Sequence, residues 1–125
     1  MKENKSYTSL NVWIISRELV KQLYLLTKDF PKEEVYGLTS QMRRAAISIP
    51  SNIAEGVARN HDKETLHFLH ISKGSLYELE TQLYLAFDIG YLNEEQLSFI
   101  LNKVEDCKKL ISGFISYYRN KPQGI

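Results

Sequence analysis

The sequence predicts an all-α protein folded as an antiparallel up-and-down four-helix bundle, and three observations carry that prediction. Apolar residues recur at steps of three and four along four long stretches, and none of these shows the two-residue alternation of a strand. Turn-forming residues at Pro31, Gly37, Asn60, Gly90 and Pro122 punctuate the stretches. The chain has 125 residues, 43% of them apolar and 25% charged, which suits a single domain over 1–125 with one core. Short links leave consecutive helices only antiparallel neighbours to pack against.

The first helix is expected over about 12–27, where Val12, Ile15, Leu19, Leu23 and Leu26 form one stripe and Asn11 offers a capping side chain. Asp29-Phe30-Pro31 ends it, because a residue before proline avoids the helical region. The second runs over about 38–58 on Leu38, Met42, Ala45, Ala46, Ile49, Ile53 and Val57. Pro50 stands in its middle without an N–H for the carbonyl of Ala46. The stripe keeps its phase across that proline, which favours one helix kinked at Pro50 over two broken there.

The third helix, about 62–89, is the most regular, with Leu69, Ser72, Leu76, Leu79, Leu83 and Ala86 in heptad rhythm over roughly 40 Å. Gly90 supplies its left-handed stop. The fourth, about 93–119, opens with Asn93-Glu94-Glu95-Gln96, a capping-box pattern, and continues on Leu97, Ile100, Val104, Cys107, Ile111, Phe114 and Tyr118. Gly74 and Gly113 fall inside helices at a cost of roughly 1 kcal/mol each, and close helix approach is their simplest use.

Composition excludes several classes of function. The longest apolar run is Leu83–Phe87, against roughly 18 residues for a membrane span, and Met1–Ser6 lacks a signal-peptide core. A cytoplasmic protein with no membrane partner is expected. Cys107 is the only cysteine, so there is no internal disulfide and no multi-thiolate zinc site. The formal charge of +1 means that any electrostatic function is a local patch.

Enzymatic chemistry finds little support. Glu64-x-x-His67 has the spacing of carboxylate-bridged metal bundles, but those need two such motifs and two further glutamates, and here there is one. His61, His67 and His70 read as a solvated face. Cys107 falls on an apolar stripe, no serine sits on a turn beside a base, and the glycines are too scattered to cradle phosphate. No catalytic residue, metal or cofactor is expected.

Two polar groupings stand out. Gln41, Arg44, Ser48, Asn52 and Glu55 line one side of the second helix, either as a hydrogen-bonded seam or as a binding surface, within reach of Glu78 or Glu80. Arg43, Arg44, Arg59, Lys63 and Lys73 exceed the nearby acids Glu55, Asp62 and Glu64 by two charges. Repetition around an oligomer would multiply that excess into a basic surface. Phe68, Ile71, Tyr77, Tyr84 and Phe87, with Trp13, Val20 and Tyr24 on the first helix, leave more apolar arc than one bundle seam covers. Self-association is the expected remedy.

The stretch Tyr36-Gly37-Leu38-Thr39-Ser40-Gln41-Met42-Arg43-Arg44-Ala45-Ala46-Ile47-Ser48-Ile49-Pro50-Ser51-Asn52-Ile53-Ala54-Glu55-Gly56 resembles the signature of the bacterial four-helix-bundle proteins encoded within 23S rRNA intervening sequences. The resemblance extends through Phe30-Pro31-Lys32-Glu33-Glu34 upstream and Gly74-Ser75-Leu76-Tyr77-Glu78-Leu79-Glu80-Thr81-Gln82-Leu83 downstream. A related branch is the accessory variability determinant of diversity-generating retroelements, a basic pentameric barrel that binds nucleic acid and a reverse transcriptase. The resemblance implies a non-enzymatic homopentamer with Arg43, Arg44 and their neighbours as RNA contacts.

The leading expectation is therefore a homo-oligomeric scaffold binding structured RNA, or a nucleic-acid-processing partner such as a reverse transcriptase, through Arg43, Arg44, Arg59, Lys63 and Lys73. An alternative is a protein-interaction module without nucleic acid, using the aromatic strip. A distant one is a metal-dependent bundle enzyme built on Glu64 and His67.

Overall fold

The computed structural model describes residues 6–122. Its long elements are α1 (Asn11–Thr27), α2 (Leu38–Val57), α3 (Asp62–Asp88) and α4 (Glu94–Arg119), with 3-10 turns at Tyr7–Ser9 and Lys32–Glu34 and no strand among the described residues. The protein is an all-α four-helix bundle. Each helix packs against its neighbours in the chain and α4 closes the ring against α1, while among the described residues the backbones of the diagonal pairs stay farther apart.

Hydrogen bonds fix the direction of packing. Thr65, Ser72 and Ser75 of α3 donate to the Gly56 carbonyl, the Ile49 carbonyl and the Ser48 hydroxyl of α2, at 2.7, 2.8 and 2.8 Å. The partners descend α2 as the donors climb α3, so these helices run antiparallel. Lys108 with Glu80 and Lys121 with Asp62 give the same sense for α3 and α4.

The heptad stripe of α3 is wholly inside: Leu69, Ser72, Leu76, Leu79, Leu83 and Ala86 are all 0% exposed. Met42, Ala46, Ile49 and Ile53 meet them from α2, and Leu19, Leu23, Ile100, Val104 and Ile111 complete the core. Each large side chain buried there contributes about 1.5–3 kcal/mol, well above the differences in helix propensity among residues other than proline. Ser16, Thr27 and Ile115 are also buried, although they lie beside the stripes drawn from periodicity.

The termini of the helices follow their local chemistry. Asn93 caps α4 in a full capping box with Gln96, and Gly90 has φ 88°, the left-handed stop expected after α3. Asn11 is not a cap. The turn at Tyr7–Ser9 delivers the chain so that the Leu10 carbonyl accepts from Trp13 and Ile14, and Asn11 becomes the first helical residue. The start of α2 is capped from outside: the Glu34 carboxylate accepts from the Leu38 N–H at 3.0 Å and from the Tyr91 hydroxyl at 2.7 Å. These bonds hold its carboxyl below the usual range, the Leu38 contribution being larger.

Pro50 lies within an unbroken α2, which removes the two-helix alternative. Gly74 and Gly113 do not serve close approach, since a Cβ on either would meet nothing within 4 Å. That role belongs to Gly56, where a Cβ would stand 3.0 Å from the Phe68 Cβ and 3.1 Å from the Thr65 carbonyl oxygen.

Candidate functional site

The five basic candidates do not form one continuous patch. Fifteen residues of helix and its end separate Arg44 from Arg59, about 22 Å at the α-helical rise. Arg43 is half-buried: its guanidinium lies 4.3 Å from the Tyr24 ring centre and its Nε donates to Thr27 Oγ1 at 3.0 Å, tying α2 to α1. Arg44 is exposed. Arg59 pairs with Glu55 one turn back and covers the Phe68 ring at 4.8 Å. Lys63 is exposed and Lys73 half-buried. Neither they nor Arg44 has an ion-pair partner among the described residues.

Charge is distributed unevenly along the bundle axis. At the end holding the α1–α2 and α3–α4 connections, Asp29, Glu33, Glu34, Asp88, Glu94 and Glu95 outnumber Lys28 and Lys32. At the opposite end Arg59, Lys63, Arg119 and Lys121 outnumber Glu55, Asp62 and Glu64 by one, with His61 and His67 beside them. The near-zero net charge conceals this polarity, and Arg43 and Arg44 stand in the half that leads to the acidic end.

The polar line on α2 divides in two. Ser48 and Asn52 join a seam: Asn52 Nδ2 donates to the Ser48 carbonyl and hydroxyl, both at 2.8 Å, and Ser75 reaches the same hydroxyl across the interface. Gln41 and Arg44 face outward, and Glu55 pairs with Arg59 on the surface. Glu80 pairs with Lys108 of α4 and not with α2. The residues that complete the seam are Thr65, Ser72 and Ser75. Their signal was small hydroxyl residues recurring at three- and seven-residue spacing on the inner side of α3.

Glu64 and His67 are both exposed, and no three His, Cys, Asp or Glu side chains among the described residues converge on a metal-sized space. His70 Nε2 lies 3.4 Å from Arg119 Nη2. The Cys107 thiol is pushed up to about 12, chiefly by burial and then by Asp106, which leaves it protonated and unreactive at neutral pH.

Apolar surface faces outward on all four helices. Ile71, Tyr77 and Tyr84 are exposed on α3, as are Phe99 and Tyr117 on α4, at 50% and 59%. A groove of about 360 Å³ between α1 and α2 is walled by Trp13, Val20, Ile47 and Pro50.

A protein-family model described as 23S rRNA-intervening sequence protein matches residues 8–113. The chain belongs to this family. A crystal structure of a protein of unknown function from the S23 ribosomal protein family of Bacteroides thetaiotaomicron shares the fold, with a TM-score of 0.76 and 24% identity over 84% of this chain and 95% of that one. No curated protein matches. The span matched to the intervening-sequence family closes at Gly113 within α4, so Arg119 and Lys121 at the basic end lie beyond it. No helix among the described residues of this family member is long and apolar enough to cross a membrane.

Proposed function

We propose that this intervening-sequence family member is a non-enzymatic homo-oligomeric scaffold that binds structured RNA through the basic end of its bundle. Arg59 and Lys63 lead, and Arg44 and Lys73 add charge along the flank. The observation that carries the reading is the axial polarity: in a chain whose net charge is near zero, acids gather at one end and leave a small cationic excess, with His61 and His67, at the other. One copy offers too small an excess to hold RNA, and a ring of copies repeats it. The outward apolar side chains Ile71, Tyr77, Tyr84, Phe99 and Tyr117 supply surface for copies to cover.

Fluorescence anisotropy with a labelled RNA hairpin at about 50 and 200 mM salt tests the reading. Affinity should fall steeply with salt and drop about tenfold in Arg59→Ala with Lys63→Ala, with a smaller loss in Arg43→Ala. No binding at low salt, or binding indifferent to the paired substitution, overturns it. Sedimentation velocity tests the oligomer, and a monomer at every concentration refutes it.

The second reading, a protein-interaction module, draws on the exposed aromatics of α3. It predicts capture of a specific partner that survives high salt and nuclease and is lost in Tyr77→Ala with Tyr84→Ala.

A further inference from the structure

We propose that the cavity between the α2–α3 connection and the end of α4 is a binding site for the 5′-phosphomonoester of a ribonucleotide, either free or at the end of an RNA strand. Asn60, His61 and Lys63 form one wall and Tyr118, Arg119 and Lys121 the other, around a volume of about 560 Å³. That is the size of a small-molecule pocket, with ample room for one nucleotide.

The lining is cationic beyond its own needs. Asp62 is the single carboxylate in the lining, and Lys121 already pairs with it at 3.1 Å. Lys63 has no ion-pair partner among the described residues, and the partner of Arg119 is the His70 ring at 3.4 Å, which brings no negative charge. Two cations thus face a concave space with no carboxylate paired to them among the described residues. His61 occupies the cap position of α3 without a side-chain bond, so the backbone N–H groups of that helix's first turn, which also carries Asp62 and Glu64, open beside the same wall.

A phosphomonoester fits this arrangement better than an internal phosphodiester. It carries nearly two negative charges at neutral pH against one, matching the two unneutralised cations. A pit also admits a chain end more readily than a strand that must run through. Tyr118 and Leu66 add apolar lining, with Lys121 Nζ over the Tyr118 ring at 4.9 Å, and the Asn60 amide can both donate and accept at a base edge.

The proposal does not rest on the scaffold reading. Isothermal titration calorimetry with 5′-AMP, adenosine and a short RNA bearing either a 5′-phosphate or a 5′-hydroxyl tests it. AMP, the phosphorylated RNA or both should bind at least tenfold tighter than the counterpart without phosphate. Lys63→Gln and Arg119→Gln, both at exposed positions, should each weaken that binding about tenfold, and Lys28→Gln, exposed at the opposite end, should not. Binding by AMP alone assigns a free nucleotide, and binding by the RNA alone assigns a strand end. Failure of both, equal affinity with and without the phosphate, or indifference to Lys63→Gln and Arg119→Gln overturns the site. RNA binding that ignores the 5′ group would leave the scaffold reading standing while this one falls. AMP binding without hairpin binding would do the reverse.

Discussion

Gly56→Ala and Gly74→Ala should change stability in opposite directions, although both replace a helical glycine by the best helix former. At Gly74 nothing lies within 4 Å of the added methyl, so the substitution collects the gain in helix propensity, about 0.5–1 kcal/mol. At Gly56 the methyl stands 3.0 Å from the Phe68 Cβ and 3.1 Å from the Thr65 carbonyl oxygen. Both atoms belong to the frame of α3 and cannot swing aside as a side-chain tip would. The helices must separate by a few tenths of an ångström at the point where Thr65 Oγ1 donates to the Gly56 carbonyl at 2.7 Å. Overpacking costs about 1–3 kcal/mol and a weakened buried hydrogen bond about 1 kcal/mol more. The propensity gain is reduced because Gly56 is the penultimate residue of α2. The net is a loss of about 1–3 kcal/mol, or roughly 4–11 °C in Tm for a chain of this size. Urea titration with a shared slope, backed by a thermal scan, reads both variants. Stabilisation of Gly56→Ala to the level of Gly74→Ala would refute the close approach of α2 and α3.

Three further outcomes are expected. Ser72→Ala removes the fully buried hydroxyl that reaches the Ile49 carbonyl and should cost about 1 kcal/mol by urea unfolding, and a neutral result would show that bond to be idle. The folded-state pKa of Glu34 is lowered, first by the Leu38 N–H and then by the Tyr91 hydroxyl, so its stabilisation is present above the ordinary carboxylate value and lost as pH falls through the lowered one. Glu34→Gln should therefore unfold at lower urea than the parent at pH 7, with the gap closing in acid; a gap constant from neutral to strongly acidic pH would contradict this. The buried Cys107 thiol, at about 12, should resist alkylation by iodoacetamide at pH 8 in the native protein and react at the rate of unfolding, and prompt labelling would show the α4 stripe to be open.

Most of the fold was legible because it depends on periodicity. The α3 stripe from Leu69 to Ala86 was drawn from spacing alone and every member is buried, and Asn93 with Gln96 announced the start of α4. The misreadings share a cause: they concern what lies across a helix interface, which periodicity does not encode. Asn11 had the right residue type for a cap, but the turn at Tyr7–Ser9 decides how the chain enters α1. Gly74 and Gly56 are both glycines in helices, and only the register of α3 on α2 places Gly56 against Thr65 and Phe68. The same limit governs the candidate site. That Arg44 and Arg59 stand far apart follows from helical rise, so their separation was available from the sequence. That Lys63 shares a cavity with Arg119 and Lys121 was not, because the cavity joins the first turn of α3 to the end of α4 across more than fifty residues and requires both helices to have the same length within a turn. The charge polarity arises the same way. Antiparallel packing brings the α2–α3 connection to the end of α4 and stacks the acid-rich connections together at the other pole, so a composition near neutrality produces a molecule with two unlike ends.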